Sequence, residues 1–253
     1  MAKKAKQRRK RPSPSPSVRL TRQRLMDGLA GPDGTRVRLA SPDDSVRFGE
    51  LLTLATEEIE HEQVDGVAAG ECGKWLLDGL VEGNRALTEP LARAAASGQL
   101  QDSALALSLP LVAEDRDGTL VGALLALPPG MLVQTVREAG YEHHSLLAML
   151  KYVKIKGLAV AENARGRGVG GALLKRCAQV YWQLDFLLLY GGFDIERALG
   201  PYYARHGFTV LNPGETTDVG FVLTGRPIGL GAGPGEQLFF RWNRPTAQHR
   251  HTS

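Results

Sequence analysis

The run VAENARGRGVGGALLKRC, Val160 to Cys177, sets Gly166, Gly168, Gly170 and Gly171 together with Arg165 and Arg167 ahead of a helical pattern. A glycine inside a helix costs roughly 0.5–1 kcal/mol relative to alanine, so four of them do not serve helix formation. Glycines at a helix start let an anion rest directly on backbone N–H groups, and guanidinium groups add charge-assisted donors suited to phosphate. Gly166, Gly168 and Gly171 also spell G-x-G-x-x-G, the dinucleotide fingerprint. That reading fits poorly. Its turn passes straight from strand to first glycine, whereas Ala161 to Arg165 intervene here, and the next apolar run, FLLLYGGF, ends in glycines with Asp194 only beyond them. A P-loop is excluded because no Gly-Lys-Ser/Thr follows. A nicotinamide-dinucleotide-binding oxidoreductase stays as the alternative.

The elements that must carry this loop are legible from periodicity. KYVKIKGLAV (151–160) alternates and then becomes continuously apolar, the pattern of a buried strand. After the loop, Val169, Leu173, Cys177, Val180 or Tyr181, and Leu184 recur at three- and four-residue steps, which predicts a helix. DFLLLYGGF (185–193) predicts a short strand, Ile195 to His206 a helix interrupted at Gly200-Pro201, and GFTVLN (207–212) and EQLFFRW (236–242) further strands. Upstream, TRVRLA (35–40) alternates as a strand, and Ser41-Pro42-Asp43-Asp44 has the capping chemistry of a helix start. A helical region broken by glycines follows from about Gly70 to Ala96. ALALSLPLVAED (104–115) and TLVGALLALP (119–128) then read as strands joined by the hairpin turn Arg116-Asp117-Gly118. Residues 130–149 read as helical or irregular, with a break at Gly140. Hairpins in the first half and helical crossovers in the second predict a mixed sheet with helices on its faces.

Arg165-x-x-Gly168-x-Gly170, on a loop between an apolar strand and a helix, resembles the acyl-CoA pyrophosphate motif of the GNAT superfamily of N-acetyltransferases. Tyr202-Tyr203-Ala204-Arg205-His206-Gly207-Phe208 is similar to that family's second signature, an aromatic pair followed by Gly-Phe. The element order over about residues 35 to 242 matches as well. The resemblance implies an α/β (α+β) fold with a mixed, mostly antiparallel central sheet and helices on both faces. It also implies acetyl-CoA as co-substrate, no metal, and transfer of the acetyl group to a primary amine by direct attack in a ternary complex. The acceptor is either a small molecule or a protein, and a homodimer is compatible with it. By the same resemblance the pyrophosphate would lie on the amides of Gly166 to Gly171, including Val169, with Arg165 and Arg167 assisting. The pantetheine arm would run along Leu158, Ala159 and Val160, where a backbone N–H could hold the developing oxyanion. Tyr203 would be the general acid for the leaving thiolate. Three departures stand out. Glu162 occupies a position that is often proline, residues 130–149 form an insert, and Gly200-Pro201 adds a residue near the tyrosines. The base is unassigned among Glu162, Asp194, the cluster Glu57, Glu58, Glu60 and Glu62, and a water relay.

Charge is unevenly spread. Of 31 Lys and Arg, ten fall in residues 1–24 with no acid among them, and in the remainder 27 acids face 21 bases. Residues 1–30 therefore read as a disordered basic tail, residues 31–243 as the acetyltransferase domain and 244–253 as a frayed end. The tail suits weak contact with nucleic acid or another polyanion, a non-enzymatic alternative function, or a plain solvated extension. No apolar run is long enough to span a membrane, and none follows the basic stretch as a secretion signal would require, so a cytoplasmic enzyme is expected. The two cysteines, Cys72 and Cys177, sit in apolar helical patterns as buried free thiols.

Overall fold

Two strand runs that are apolar but for the terminal Glu114, LPLVAE and LVGALLAL, need cover on both faces, and helices supply it. The computed structural model describes residues 19–55, 61–98 and 100–243. In chain order, α1 (Arg22–Asp27), β1 (Leu29–Ala30) and β2 (Arg36–Leu39) lead into α2 (Ser45–Leu52) and α3 (His61–Ala68). Next come α4 (Lys74–Glu82), α5 (Arg85–Ser97) and α6 (Leu100–Ala106), then β3 (Leu109–Glu114) and β4 (Leu120–Leu127). The insert forms α7 (Gly130–Glu138) and α8 (Glu142–Lys151), which turn about Gly140 at φ +85°. Then follow β5 (Tyr152–Val160), α9 (Val169–Gln183), β6 (Leu188–Asp194), α10 (Gly200–Arg205) and β7 (Thr209–Val210). The chain closes with β8 (Thr217–Asp218), α11 (Phe221–Thr224), β9 (Gly229–Leu230) and β10 (Glu236–Trp242).

Eight strands form one sheet in the order β1-β2-β3-β4-β5-β6-β10-β7, and β8 and β9 form a separate hairpin. Among the described residues only the β5–β6 pair is parallel, so the sheet is mixed and mostly antiparallel. Leu109, Leu111 and Ala113 of β3 and Leu124 and Ala126 of β4 face a core shared with α1, α4, α5 and α9. Their neighbours Val112, Ala123 and Leu125 face Phe48, Leu51 and Leu52 of α2 and Val67 of α3. This period-two division is what two-sided burial demands. All the periodic positions of α9 are buried: Val169, Leu173, Cys177, Val180, Tyr181 and Leu184. At Gly122 of β4 a Cβ would lie 3.0 Å from Val169 and 3.1 Å from Leu173, so the missing side chain sets how closely α9 approaches the sheet. Both thiols are buried and free. Burial, with Glu71 and Glu62 nearby, pushes Cys72 up to about 12, and burial likewise raises Cys177.

Several expectations need correction. The tail boundary at residue 30 is too late: Leu20 and Leu25 are buried in the main core, and Thr21 caps α1 by accepting from the Arg24 amide. Gln183 at the end of α9 holds Leu20 from both sides, accepting from its amide at 2.8 Å and donating to its carbonyl at 2.7 Å. Two leucines in a basic segment are a weak composition signal, but they suffice to dock it. Residues 1–18 and 244–253 lie outside the described residues. Residues 104–106, read as strand, belong to α6, and the Ser108 hydroxyl donates back to the Ala104 carbonyl as the chain leaves that helix. The strand read over 207–212 is only two residues long as β7. The capping prediction at Ser41 stands: the Asp44 carboxylate accepts from both the amide and the hydroxyl of Ser41.

Candidate active site

β5 and β6 run side by side for only three residues, Tyr152 to Lys154 against Leu188 to Tyr190, and then part. β6 stays with β10 along its whole length, from Leu188↔Trp242 to Asp194↔Glu236. β5 stays with β4, with Leu158, Ala159 and Val160 opposite Leu124, Ala123 and Gly122. The β4–β5 register steps from Ala126↔Ile155 to Leu125↔Gly157 and passes over Lys156, a bulge at the point where the two parallel strands separate. From Ile155 to Val160 the β6-facing edge of β5 thus has no strand partner among the described residues. Gly191 marks the fork. A Cβ there would meet the Ile155 carbonyl at 2.8 Å and the Phe239 ring at 2.5 Å.

The open edge leads to the glycine loop. After Val160 a 3-10 turn over Glu162–Ala164 precedes Arg165, whose Nε donates to the Val160 carbonyl at 3.3 Å. Gly166 and Gly168 take φ of +77° and +83°, a left-handed conformation costly for other residues. Gly168 ends the loop as the N-cap of α9. Among the described residues no protein acceptor meets the amides of Gly166 through Gly171, so they form a row of unmatched donors at the positive end of a fifteen-residue helix.

The four glycines are not equivalent. Gly166 has open space around it. A Cβ on Gly170 would lie 2.5 Å from the Tyr202 hydroxyl oxygen, and one on Gly171 would run into the His206 ring. Gly170 and Gly171 therefore let α10 close onto α9, a packing role that the anion reading of the sequence missed. The nearby aromatic pair was the available signal. Arg167 also differs from expectation. Its guanidinium is held by Asp115 at 2.9 and 3.2 Å and by Asp33 at 2.7 Å, so both edges of its fork face carboxylates. It anchors the loop to the β3–β4 hairpin and to the turn before β2. Hydrogen bonds from Arg167 keep the Asp115 carboxyl below its ordinary range. Arg165 is the more exposed of the pair.

Tyr203 is 5% exposed, with its ring stacked on Phe239 at 3.7 Å between centroids and on Phe193 at 5.5 Å. Phe239 reaches across Gly191, so this stack sits against the fork of β5 and β6. No protein partner meets the Tyr203 hydroxyl among the described residues, and burial pushes its phenol well above the ordinary value. Tyr202, half-buried, is pushed up to about 12 by burial and lies against Gly170, next to Val160. The acids do not converge into a base. Glu162 and Glu62 are exposed, Asp194 accepts from the Glu196 amide, and Glu57, Glu58 and Glu60 lie outside the described residues. Among the described residues no group of three or more His, Cys, Asp or Glu is placed to hold a metal ion, and no helix is long and apolar enough to cross a membrane.

The dinucleotide reading is not favoured by this arrangement: β5 is flanked on one side by antiparallel β4, where a doubly wound fold needs parallel neighbours. A family profile for the acetyltransferase (GNAT) domain matches residues 109–210, from the start of β3 to the end of β7. No curated protein sequence matches the chain. Among solved structures, the chain is similar to nourseothricin acetyltransferase at 20% identity over 54% of this chain and 66% of that one, with a TM-score of 0.35. It is similar to the GNAT domain of S. lividans PAT at 12% identity over 82% and 90%, with a TM-score of 0.47. A GNAT-family acetyltransferase from Streptococcus pneumoniae aligns at 12% identity over 82% and 98%, with a TM-score of 0.45. The forked strands and the glycine loop both fall inside the segment 109–210, whose match to the acetyltransferase (GNAT) domain supports reading the chain as an acyltransferase.

Proposed function

We propose that the protein transfers an acetyl group from acetyl-CoA to a primary amine by direct attack within a ternary complex. The observation that carries this reading is the open edge of β5 from Ile155 to Val160, which ends at the unmatched amides of Gly166 to Gly171. An extended amide-containing arm fits a strand edge, and a pyrophosphate fits a helix N-terminus. The residues present suit acyl-CoA, since a side chain at Gly168 would face a left-handed backbone and crowd Pro32 at 3.4 Å. Acetyl-CoA supplies the activated thioester. Leu158, Ala159 and Val160 offer main-chain groups along its arm, and Arg165 adds positive charge beside the loop. Backbone N–H groups near the bulge at Lys156 supply the donors for the thioester oxygen, where negative charge gathers. Tyr203, kept protonated by burial, donates its proton to the leaving sulfur.

An assay of thiol release from acetyl-CoA over a panel of amines tests the reading, with initial-rate lines expected to intersect. Parallel lines would show a covalent acetyl-enzyme and reject direct attack. Tyr203→Phe should lower turnover about 100-fold, within the usual range for general acid catalysis, while acetyl-CoA affinity stays near wild type. Unchanged turnover would remove Tyr203 from that role. CoA should raise the melting temperature and NAD(H) should not, since only a ligand of the native state stabilises it.

A further inference from the structure

Away from the fork, a cavity of about 1440 Å³ runs along the outer face of α9, between α1 and β1 on one side and the end of α10 on the other. Its wall carries Arg19, Arg24, Lys175, Arg176, Arg205 and Arg241, and no Asp or Glu. That is unexpected in a chain whose acids outnumber its bases beyond residue 24. Pairing does not explain it. Arg22, the α1 cation outside the cavity wall, has its partner in Asp78, whereas among the described residues Arg176 meets the neutral side chain of Gln179 and no carboxylate. The Nε of Arg176 is buried with no partner among the described residues, and burial together with the charge of Arg24 disfavours its protonated form. Like charges held together without counter-charge are the mark of a site whose counter-charge is a ligand.

The length of the cavity identifies that ligand. It begins at Gly168 and Gly171 and reaches Trp182 and Gln183, fourteen residues on, or about 21 Å at 1.5 Å per residue. A nucleotide at the glycine loop would fill only the near end. The far end holds Arg19, Arg24 and Arg176, with the half-buried indole of Trp182 as an apolar plate among them. Spaced cations in a concave channel with an aromatic face suit a single strand, whose phosphates follow the charges and whose bases stack. The seven Lys and Arg of residues 3–11 join the described chain at Arg19, on the wall of this channel. We propose that the groove along α9 binds single-stranded nucleic acid, over Arg19, Arg24, Lys175 and Arg176 with a base on Trp182. The proposal does not depend on the acyl-transfer reading.

The test is fluorescence anisotropy of the full-length protein with a labelled 20-nucleotide RNA of mixed sequence, across a salt series and with a duplex of the same length as control. The single strand should bind at least tenfold more tightly than the duplex. The triple variant Arg19→Ala, Arg24→Ala, Arg176→Gln should lose at least 30-fold. Its log–log salt slope should be shallower by about 2, since each single-strand phosphate contact contributes about 0.7. A full-length variant with the seven tail cations of residues 3–11 replaced by alanine should bind more weakly yet still respond to the groove substitutions. Should the triple variant melt early, Lys175→Glu on the exposed rim reads the same site and should lose at least tenfold. Wild-type affinity in both groove variants, or loss of all binding on neutralising the tail alone, overturns the proposal. So does full displacement of the RNA by saturating CoA, which would make the cavity only a nucleotide pocket.

Discussion

Arg167 stands in the anion loop, yet its guanidinium points at Asp33 and Asp115. Under the proposed function, its part in acyl-CoA binding would therefore be to hold the loop in shape. Arg167→Ala should weaken CoA only a few-fold, in keeping with the small worth of exposed ion pairs, and Asp115→Asn should reproduce the loss, as isothermal titration would show. Because the Asp115 carboxyl is depressed in the folded state, the clamp is complete above the ordinary carboxylate range and is lost as pH falls through that lowered value. CoA affinity should show no inflection from this group between pH 5 and 8. Gly170 gives a sharper test of packing. Gly170→Ala should cost about 1–3 kcal/mol, the usual range for overpacking, by driving a methyl group into the Tyr202 hydroxyl. Adding Tyr202→Phe should recover much of that loss, because the next ring atom lies at 3.5 Å, an ordinary contact. Equal melting temperatures for the single and double variants would reject this explanation.

At the scale of elements, β2 is tied to the turn before α2 and to β3 through one residue. Arg38 donates to Asp44 at 2.5 and 3.0 Å and to Glu114 at 2.9 Å. Burial alone would raise the Asp44 carboxyl, but hydrogen bonds from Arg38 and Ser41 outweigh it and hold it low. The stability this contributes is present above the unfolded carboxylate pKa and is lost as pH falls through the depressed folded value. Arg38→Ala should destabilise by on the order of 3 kcal/mol in urea unfolding at pH 7, since it strands two largely buried carboxylates, and by less in acid. The elements around the site were readable in the sequence where periodicity and side-chain size speak. The buried stripe of α9, the apolar β5 and the capping residues at Ser41 are such places. The fork was not readable, because it depends on where pairing stops, and Tyr152 to Val160 looks the same paired or open. The role of Arg167 was hidden for a related reason: its partners Asp33 and Asp115 lie 134 and 52 residues away.

For the whole molecule, the folded body begins earlier than composition suggests, because Leu25 buries α1 in the main core beside β2 and α4, and Leu20, just before it, is held by Gln183 of α9. Truncation before Arg19 should leave the melting temperature unchanged. Truncation at Gly28 should lower it by several degrees, because it uncovers the core that those leucines seal. The largest consequence follows from the edge of β5. A row of main-chain donors and acceptors without a strand partner is a template for any extended chain, and in most proteins such an edge is charged, covered or twisted away. Here the open edge from Ile155 to Val160 lies inside the sheet, between β4 and the diverging β6. The feature that would seat an acyl-CoA arm is thus also the place where two partly opened molecules could pair. Acyl-CoA should accordingly suppress heat-induced aggregation, measured by light scattering, to a greater degree than its effect on the melting temperature alone accounts for.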